Sequence, residues 1–344
     1  MKKQNSHLKK SFFKKIFIKI CRLLGFEIVD QSNFYMPTQN KLLNDNLSIQ
    51  GVKSINLPLG EVKITRKVNA LTIIFRSCTN VHMLTQNKKR LFDQKKSEYT
   101  FRSLNSIIVS SKKAKKKFPK IKLNIIVIDH NSKIEDIKQI KEQLNKSSLE
   151  NSFISLNVNE FSDNIKKINA KNESVTVNQI SNMANINKSL IIAKDQCNDL
   201  IYFVEDDYIH NDDAISEMIF SYERISSQLN NELILCPTDY PYLYTKLDST
   251  NIFLGSSIHW RKIDESLCTF LTSKFILDKY WEEFVAMCKY EHYPFEQPLH
   301  NIYKVECCLS PLPSLAIHLT NINSIFGLSP NVDWKKVWDK NEDY

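Results

Sequence analysis

The stretch NDLIYFVEDDYIHNDDA, residues 198–214, decides the fold and raises the first question about this chain. Five mostly apolar residues, 200–204, run directly into three consecutive acids, Glu205, Asp206 and Asp207. A short apolar run of this kind predicts a strand buried in a core. Because neighbouring carboxylates repel one another, the end of this strand needs a reason to collect three of them.

Apolar strands and helical segments alternate around this stretch. Strands are predicted at ALTIIFRS (70–77), IKLNIIVIDHNS (121–132), SFISLNV (152–158) and DLIYFVEDD (199–207), and helices at about 98–118, 134–144, 178–196 and 211–229, the last with Asn211 or Asp212 as its N-cap. Continuous apolar strands that alternate with helices imply an α/β fold with a mainly parallel sheet flanked by helices. In open sheets of this kind the ligand binds outside the carboxyl ends of the strands, where Arg76, Asp129 and the three acids fall.

Composition limits the classes of function. The chain has 344 residues, 42% of them hydrophobic and 25% charged, which fits a soluble globular protein of one large or two small domains. None of its five glycines forms G-x-G-x-x-G or G-x-x-x-x-G-K-[ST], so a phosphate ligand must be held by other means, such as a metal ion. The eight cysteines form no C-x-x-C pair, which favours reduced thiols over a zinc cluster or a disulfide scaffold.

The positive charge is concentrated near the start of the chain. Within residues 1–30, SFFKKIFIKICRLLGFEI places apolar residues on one helical face and Lys and Arg largely on the other. The charges interrupt the apolar stretch, which argues against a signal peptide and a membrane span. A basic amphipathic helix suits the surface of an anionic bilayer, and the alternative is a helix packed on the protein's own core.

The rest of the chain divides into two parts. Residues 31–68 are predicted to form a linker with a short β-hairpin, and residues 69–344 to form the main domain. A second basic run, KKAKKKFPKIK (112–122), is interpreted as a solvated helix end. Since no aromatic-interleaved basic patch accompanies it, no nucleic-acid partner is expected.

The three acids suggest a cation site. Mg²⁺ or Mn²⁺ is usually held by one or two carboxylates, with substrate phosphates and water in its other positions. The alternatives are that the acids are simply solvated or that they cap the next helix.

The stretch DLIYFVEDDYIHNDDA resembles the D-x-D region of the GT-A glycosyltransferases, specifically the family 2-like group. In that pattern an apolar strand ends in acids that hold the divalent metal on a nucleotide-sugar diphosphate. Glu205 matches the first acid and Asp207 the second, with Asp206 between them. The resemblance therefore implies Glu205 and Asp206 as contacts of the nucleotide sugar, and Glu205 and Asp207 as metal ligands. Because Glu replaces the usual first Asp, Asp207 is the better-supported ligand.

Further segments extend the resemblance to about residues 70–338. TIIFRSCT, with Arg76, resembles the strand beside the nucleotide, and NIIVIDHNS gives Asp129 the role of the acid that contacts the base or ribose. The helix before the acids is rich in Asn where the family has an Ala/Arg-Asn pattern, and Asn185 is its candidate contact. LSPLPSLAIHL places His318 where many GT-A enzymes have a histidine that completes the metal site, whereas a lone His in such a run is otherwise a core residue.

The predicted halves of the main domain are a nucleotide-sugar half, about 69–210, and an acceptor half, about 211–344. In the acceptor half, His259, Trp260 and Arg261 follow a predicted strand. Trp can stack on a sugar and Arg can pair with a phosphate, while the alternative is a packed Trp beside a surface Arg. An inverting transfer needs a base for the acceptor hydroxyl, and the candidates are Glu296 and Asp264, either of which is otherwise a surface acid.

The resemblance thus predicts a glycosyltransferase that uses Mn²⁺ or Mg²⁺ and moves a sugar from a nucleotide sugar to a surface glycan or lipid-linked acceptor. Its expected location is cytoplasmic, peripheral at the inner face of the membrane. One alternative is a sugar-phosphate nucleotidyltransferase, although the first loop, FRSCTNVHMLTQNKKR, lacks the glycines of that class. Another is a catalytically inactive GT-A-like module that binds at a membrane.

Overall fold

The computed structural model describes residues 12–26, 62–80, 91–245, 249–319, 325 and 327–344. The chain divides into two compact units, Met1–Val62 and Lys63–Tyr344. In the first unit, helix α1 spans Phe12–Leu23, within the predicted amphipathic segment. No helix of the described ranges is long and apolar enough to cross a bilayer.

The second unit contains the sheet and its helices. Its helices are α2 (Lys96–Lys117), α3 (Ile134–Lys146), α4 (Val177–Gln196), α5 (Ala214–Leu229), α6 (Lys274–Lys279), α7 (Trp281–Lys289), α8 (Gln297–Tyr303) and α9 (Trp334–Lys340). Its strands are β1 (Ala70–Ser77), β2 (Lys122–Asp129), β3 (Glu150–Ser155), β4 (Leu200–Glu205), β5 (Tyr208–His210), β6 (Leu233–Leu235), β7 (Ile252–Leu254), β8 (His259–Lys262), β9 (Phe270–Ser273), β10 (Cys307–Leu312) and β11 (Ala316–His318).

Nine of these strands form one sheet in the order β3-β2-β1-β4-β9-β6-β10-β8-β7. Only β8 and β9 pair antiparallel with both of their neighbours, so the other seven strands run in one direction. The prediction of an α/β fold with a mainly parallel sheet is confirmed. The short strands β5 and β11 form a separate antiparallel pair.

Both faces of the sheet are buried, which explains the continuous apolar strands. Along β4, Leu200, Tyr202 and Val204 pack into a core with α2 and α5, whereas Ile201 and Phe203 pack into a second core with α4 and the helices α6 to α8. This alternation is the two-residue period of a strand with helices on each side. The carboxyl ends of β1 and β4 therefore meet at one edge of the sheet, in register from Leu71 to Arg76.

The first four predicted strands and their helices lie where the sequence placed them, with ends shifted by a few residues. One difference is the N-cap of α5, which is Asp213 and makes no side-chain capping hydrogen bond, in place of Asn211 or Asp212. Residues 51–61 of the predicted hairpin, and most of the predicted linker, lie outside the described residues. Residues 62–66, the end of that hairpin, are described and are not in a strand.

Candidate active site

Each of the three consecutive acids lies beside a basic side chain from a different element. The pairs are Arg76 Nη2 with Glu205 Oε1 at 3.0 Å, Lys96 Nζ with Asp206 Oδ1 at 2.5 Å, and His318 Nε2 with Asp207 Oδ2 at 3.3 Å. The repulsion expected from the sequence is therefore relieved by three separate protein cations or hydrogen-bond donors. The strand can end in three carboxylates because each of them has its own partner.

The Arg76–Glu205 pair follows from the pairing of β1 with β4. Their register sets Arg76 directly beside Glu205, and Arg76 Nη1 also donates to Asn182 Oδ1 of α4 at 3.2 Å. Burial raises the pKa of Glu205, although the charge of Arg76 acts in the opposite direction. Arg76 is itself buried, so this pair forms part of the floor of the site.

Asp206 is a structural anchor. Its Oδ2 accepts from the backbone N–H of Cys78 at 3.0 Å and from the hydroxyl of Thr100 at 2.8 Å, while Oδ1 is bound by Lys96. Both carboxylate oxygens are thus used inside the protein, and the side chain is buried. Asp206 fixes the end of β1 and the first turns of α2 to the end of β4.

Asp207 and His318 come together through the β5–β11 pairing, which sets His318 opposite Tyr208. The imidazole stacks on the Tyr208 ring at 4.5 Å between centroids, and the Tyr208 hydroxyl contacts that of Tyr240 at 2.6 Å. Burial acts to raise the pKa of Asp207, but the charge and hydrogen bond of His318 outweigh it and the pKa lies well below its usual range. Asp207 is therefore held as a carboxylate beside an oriented imidazole.

These groups line one cavity of about 340 Å³ at the carboxyl ends of the strands. Of the residues predicted for the site, seven contribute to its wall: Arg76, Asn185, Glu205, Asp206, Asp207, Glu296 and His318. They come from both predicted halves of the main domain. The structure thus brings together most of the set that the sequence suggested for a metal and a nucleotide sugar.

Glu296 lies at the N-terminus of α8 and faces the same cavity. Burial raises the pKa of Glu296 to about 7, and the nearby charge of Glu205 acts in the same direction. The thiol of Cys268 is 3.8 Å from Glu296 Oε1, as a weak hydrogen-bond donor. A carboxyl group with a pKa near neutrality can take up or release a proton under physiological conditions.

The donor set allows a two-ligand metal site. Within the described parts of the chain, no group of three or more His, Cys, Asp or Glu side chains is arranged to hold a metal ion. Asp207 and His318 are adjacent oxygen and nitrogen donors, with Nε2 and Oδ2 3.3 Å apart, whereas Glu205 is paired with the buried guanidinium of Arg76. Two protein ligands, with phosphates and water in the remaining positions, fit the way in which Mg²⁺ and Mn²⁺ bind at nucleotide sites.

Asp129 lies beside the cavity but does not line it. Its carboxylate is 3% exposed and accepts from the Ser77 hydroxyl at 2.7 Å and from the Ser132 hydroxyl at 2.5 Å. Burial raises the pKa of Asp129, while these hydrogen bonds act to lower it. In this structure Asp129 stabilises the loops after β1 and β2, and the neighbouring His130 reaches the cavity wall.

The predicted acceptor triplet is placed elsewhere. His259, Trp260 and Arg261 are part of β8 itself, and none of them lines the cavity. The Trp260 indole is fully buried and donates to Ser221 Oγ at 2.9 Å, so it has no exposed face on which a sugar can stack. Arg261 pairs with Asp239. The packed-Trp alternative is therefore correct for Trp260, because β8 lies inside the sheet.

The second candidate base, Asp264, is also outside the cavity. Its side chain is 65% exposed, and its nearest cation is Lys262 at 4.0 Å. It is a surface acid.

Several wall residues were missed by the sequence reasoning, among them Lys96, Gln179, Cys268 and Glu291. Lys96 stands in a run of polar residues with no pattern of its own. Glu291, by contrast, occurs in YEHYPFEQ, only five residues before Glu296. The occurrence of two acids in one aromatic segment could have indicated that Glu291 belongs to the site together with Glu296.

No protein-family model and no curated protein matches the chain. Among solved structures, the galactosyltransferase LgtC in complex with donor and acceptor sugar analogs is 11% identical, with 79% of this chain and 95% of that chain covered and a TM-score of 0.35. UDP-glucose pyrophosphorylase complexed with UDP-glucose is 7% identical, with 79% and 98% covered and a TM-score of 0.40. S. aureus TarS is 15% identical, with 61% and 29% covered and a TM-score of 0.32. At such TM-scores these likenesses establish neither a family nor a function.

The anchoring role of Asp206 predicts a loss of stability on its substitution. Asp206→Asn keeps the shape of the side chain but leaves the ammonium group of Lys96 without its counter-charge. We expect the free energy of unfolding, measured by urea denaturation, to fall by about 2 kcal/mol. Asp264→Asn is the control, with an expected change below about 0.5 kcal/mol because that acid is exposed. Equal effects of the two substitutions would contradict the anchoring role.

Proposed function

We propose that this protein is a glycosyltransferase that binds a nucleotide sugar together with a divalent cation, Mn²⁺ or Mg²⁺. The observation that carries the proposal is the convergence of Asp207, His318 and Glu296 on one cavity at the carboxyl ends of the strands. The pair Asp207 and His318 supplies a carboxylate and an imidazole for a cation, and Glu296 supplies a base. Independently of the geometry, the resemblance of residues 199–214 to the D-x-D region gives Asp207 a metal-ligand role, and the resemblance of LSPLPSLAIHL gives His318 the same role.

The residues divide the reaction between them. Glu296, with its pKa near 7, accepts the proton of the acceptor hydroxyl as that oxygen attacks the anomeric carbon, and this placement assumes an inverting transfer. Asp207 and His318 would hold the cation, while Arg76 pairs with Glu205 in the wall of the same cavity. A divalent cation bound there would offset the negative charge that develops on the departing diphosphate.

The nucleotidyltransferase alternative fits the cavity less well. That reaction places a triphosphate and a sugar phosphate in one site, and their charge needs several free cationic groups. Here Arg76 and Lys96 are already paired with Glu205 and Asp206. The attacking phosphate oxygen also carries no proton to remove, so Glu296 would have no role as a base. We therefore favour transfer of the sugar.

We further propose that α1 brings the enzyme to an anionic membrane surface at the cytoplasmic face, where its acceptor would be a lipid-linked or surface glycan. The support lies in the helix and in the residue that follows it. Phe17, Leu23 and Leu24 are 58%, 80% and 69% exposed, and basic residues alternate with them along the sequence. An apolar face bordered by Lys and Arg matches the headgroup boundary of an anionic bilayer.

The cation and nucleotide proposal is tested by calorimetry. Wild-type protein is titrated with UDP, GDP and CDP, each with and without Mn²⁺. We expect one nucleotide to bind in a metal-dependent manner and Asp207→Ala to abolish that binding, because the variant removes the carboxylate ligand. Asp264→Ala, a substitution of an exposed acid outside the cavity, should bind as the wild type does. If no nucleotide binds under any condition, the inactive membrane-associated module becomes the better account.

The role of Glu296 is tested through hydrolysis of the nucleotide sugar, in which water replaces the acceptor. The base acts in its deprotonated form, so the wild-type rate should be low below pH 7, rise through about pH 7 and level off above it. Glu296→Gln should lower the rate by about 100-fold or more at pH 8 and leave the Kd of the nucleotide unchanged.

Asp264→Asn is the matched control for the second candidate base and should keep the wild-type rate. Loss of activity in Asp264→Asn but not in Glu296→Gln would reverse the assignment. Release of pyrophosphate from a nucleoside triphosphate and a sugar 1-phosphate, without hydrolysis of the nucleotide sugar, would instead favour the nucleotidyltransferase.

Membrane binding is tested by flotation with lipid vesicles. The full chain should float with vesicles that contain anionic phospholipid at low salt, and much less with neutral vesicles or at high salt, since salt screens the attraction. Replacing Phe17 and Leu24 together by Glu should abolish flotation without changing nucleotide binding. Binding that is equal for neutral and anionic vesicles would contradict the electrostatic part of the proposal.

A further inference from the structure

A second part of the cavity wall carries buried hydrogen-bond acceptors that have no donors. It is formed by α4 and by the segment before α8, which contribute Asn185 and Glu291. The two side chains are 6% and 8% exposed. Among the described residues, neither Glu291 Oε2 nor Asn185 Oδ1 has a hydrogen-bond partner. Buried polar atoms are nearly always satisfied in folded proteins, so two unsatisfied atoms on side chains that line one cavity point to a ligand.

The orientation of Glu291 is set by the N-terminus of α4. Gln179 closes a capping box in which its Oε1 accepts from the Thr176 backbone N–H at 2.7 Å. The Gln179 amide nitrogen is thereby directed to Glu291, and it donates to Oε1 of that carboxylate. The other oxygen, Oε2, has no partner among the described residues, and Glu291 lines the cavity. Glu291 is therefore fixed by a local structure that the helix needs for its own stability.

The orientation of Asn185 is set in a similar way. Its Nδ2 donates to the backbone carbonyl of Ile128 at 3.2 Å. A flipped amide would place two acceptor oxygens against each other, so the carbonyl oxygen Oδ1 is the atom without a partner. Both orphan atoms are thus acceptors, and the group that completes them must carry O–H or N–H donors.

The need for O–H or N–H donors distinguishes the sugar ring of a nucleotide sugar from its diphosphate. Phosphates carry acceptors and negative charge, so the carboxylate of Glu291 would repel the diphosphate that Asp207 and His318 are proposed to hold. A sugar ring carries several hydroxyl donors and no charge. Glu291 also belongs to the same short segment as Glu296, and a base for the acceptor hydroxyl must act beside the sugar that is transferred.

We propose that Glu291 and Asn185 bind hydroxyl groups of the donor's sugar ring and so select the sugar that the enzyme transfers. This inference rests on the proposed function, since it assumes that a nucleotide sugar occupies the cavity. Hydrogen bonds to a carboxylate are stronger than those to a neutral acceptor, so Glu291 makes the larger contribution. A donor whose ring lacks a hydroxyl, or has it in the other configuration, at the position facing Glu291 would leave this buried carboxylate unpaired.

The test compares a nucleoside diphosphate with its sugar conjugates. Wild type and Glu291→Gln are titrated with UDP, UDP-glucose, UDP-galactose and UDP-N-acetylglucosamine in the presence of Mn²⁺, or with GDP and GDP-mannose, or CDP and a CDP-linked sugar, if the wild type prefers GDP or CDP. The amide keeps an oxygen for Gln179 but loses the charge. We expect the Kd of the preferred nucleotide sugar to rise by about tenfold and the Kd of the free diphosphate to stay unchanged.

Glu306→Gln is the matched control, because Glu306 is equally buried but lies outside the cavity and is bound by Lys279 and Tyr280. Glu306→Gln should leave the Kd of the nucleotide sugar and the Kd of the free diphosphate unchanged. Melting curves establish that both variants are folded. Equal weakening of the diphosphate and its sugar conjugate by Glu291→Gln, or no change in either, would overturn the inference. If the wild type binds none of these nucleotides, the proposed function itself has failed, which is a different outcome.

Discussion

The site depends on the neutralisation of three carboxylates that follow one another in sequence. Two like charges about 4 Å apart repel by roughly 4 kcal/mol at an effective dielectric constant of about 20, so three of them at a buried strand end require partners. Here the partners come from β1, from the start of α2 and from β11. Each pairing ties a distant part of the chain to the end of β4. The charge cluster thus acts as the point at which the sheet, one flanking helix and the β5–β11 pair are joined.

The three acids have different environments, and the environments separate their roles. Asp206 uses both oxygens for hydrogen bonds inside the protein. Glu205 forms an ion pair with the buried Arg76, and burial raises the pKa of Glu205. Asp207 is held as a carboxylate by an imidazole that is itself fixed by ring stacking. The three consecutive acids therefore differ in role: Asp206 anchors the structure, Glu205 pairs with Arg76 in the cavity wall, and Asp207 is the proposed metal ligand.

The first half of the sheet could be predicted from sequence because its strands are long, apolar on both faces and separated by clear helical segments. The strands β6 to β9 have only three or four residues each, which is too short to show such a pattern. For the same reason the burial of Trp260 could not be predicted: a Trp between polar residues has the same local pattern in a core and on a surface. His318 was identified only through the resemblance, since the β5–β11 pairing that brings it to Asp207 involves three residues on each strand.

Glu291 and Glu296 belong to one short segment but have different environments. The two acids lie five residues apart, and both face the same cavity. Burial outweighs the hydrogen bonds that Glu296 receives from the backbone and from the Cys268 thiol, so its pKa rises to about 7, which suits it to proton transfer. Glu291 is bound by the amide of Gln179, which the capping box of α4 holds in one orientation. A proton acceptor must lie where desolvation dominates, whereas a residue that recognises hydroxyl groups must be fixed in direction. The capping box at the N-terminus of α4 fixes the direction of Glu291 but not that of Glu296, and this difference would allow one short segment to supply both proposed groups.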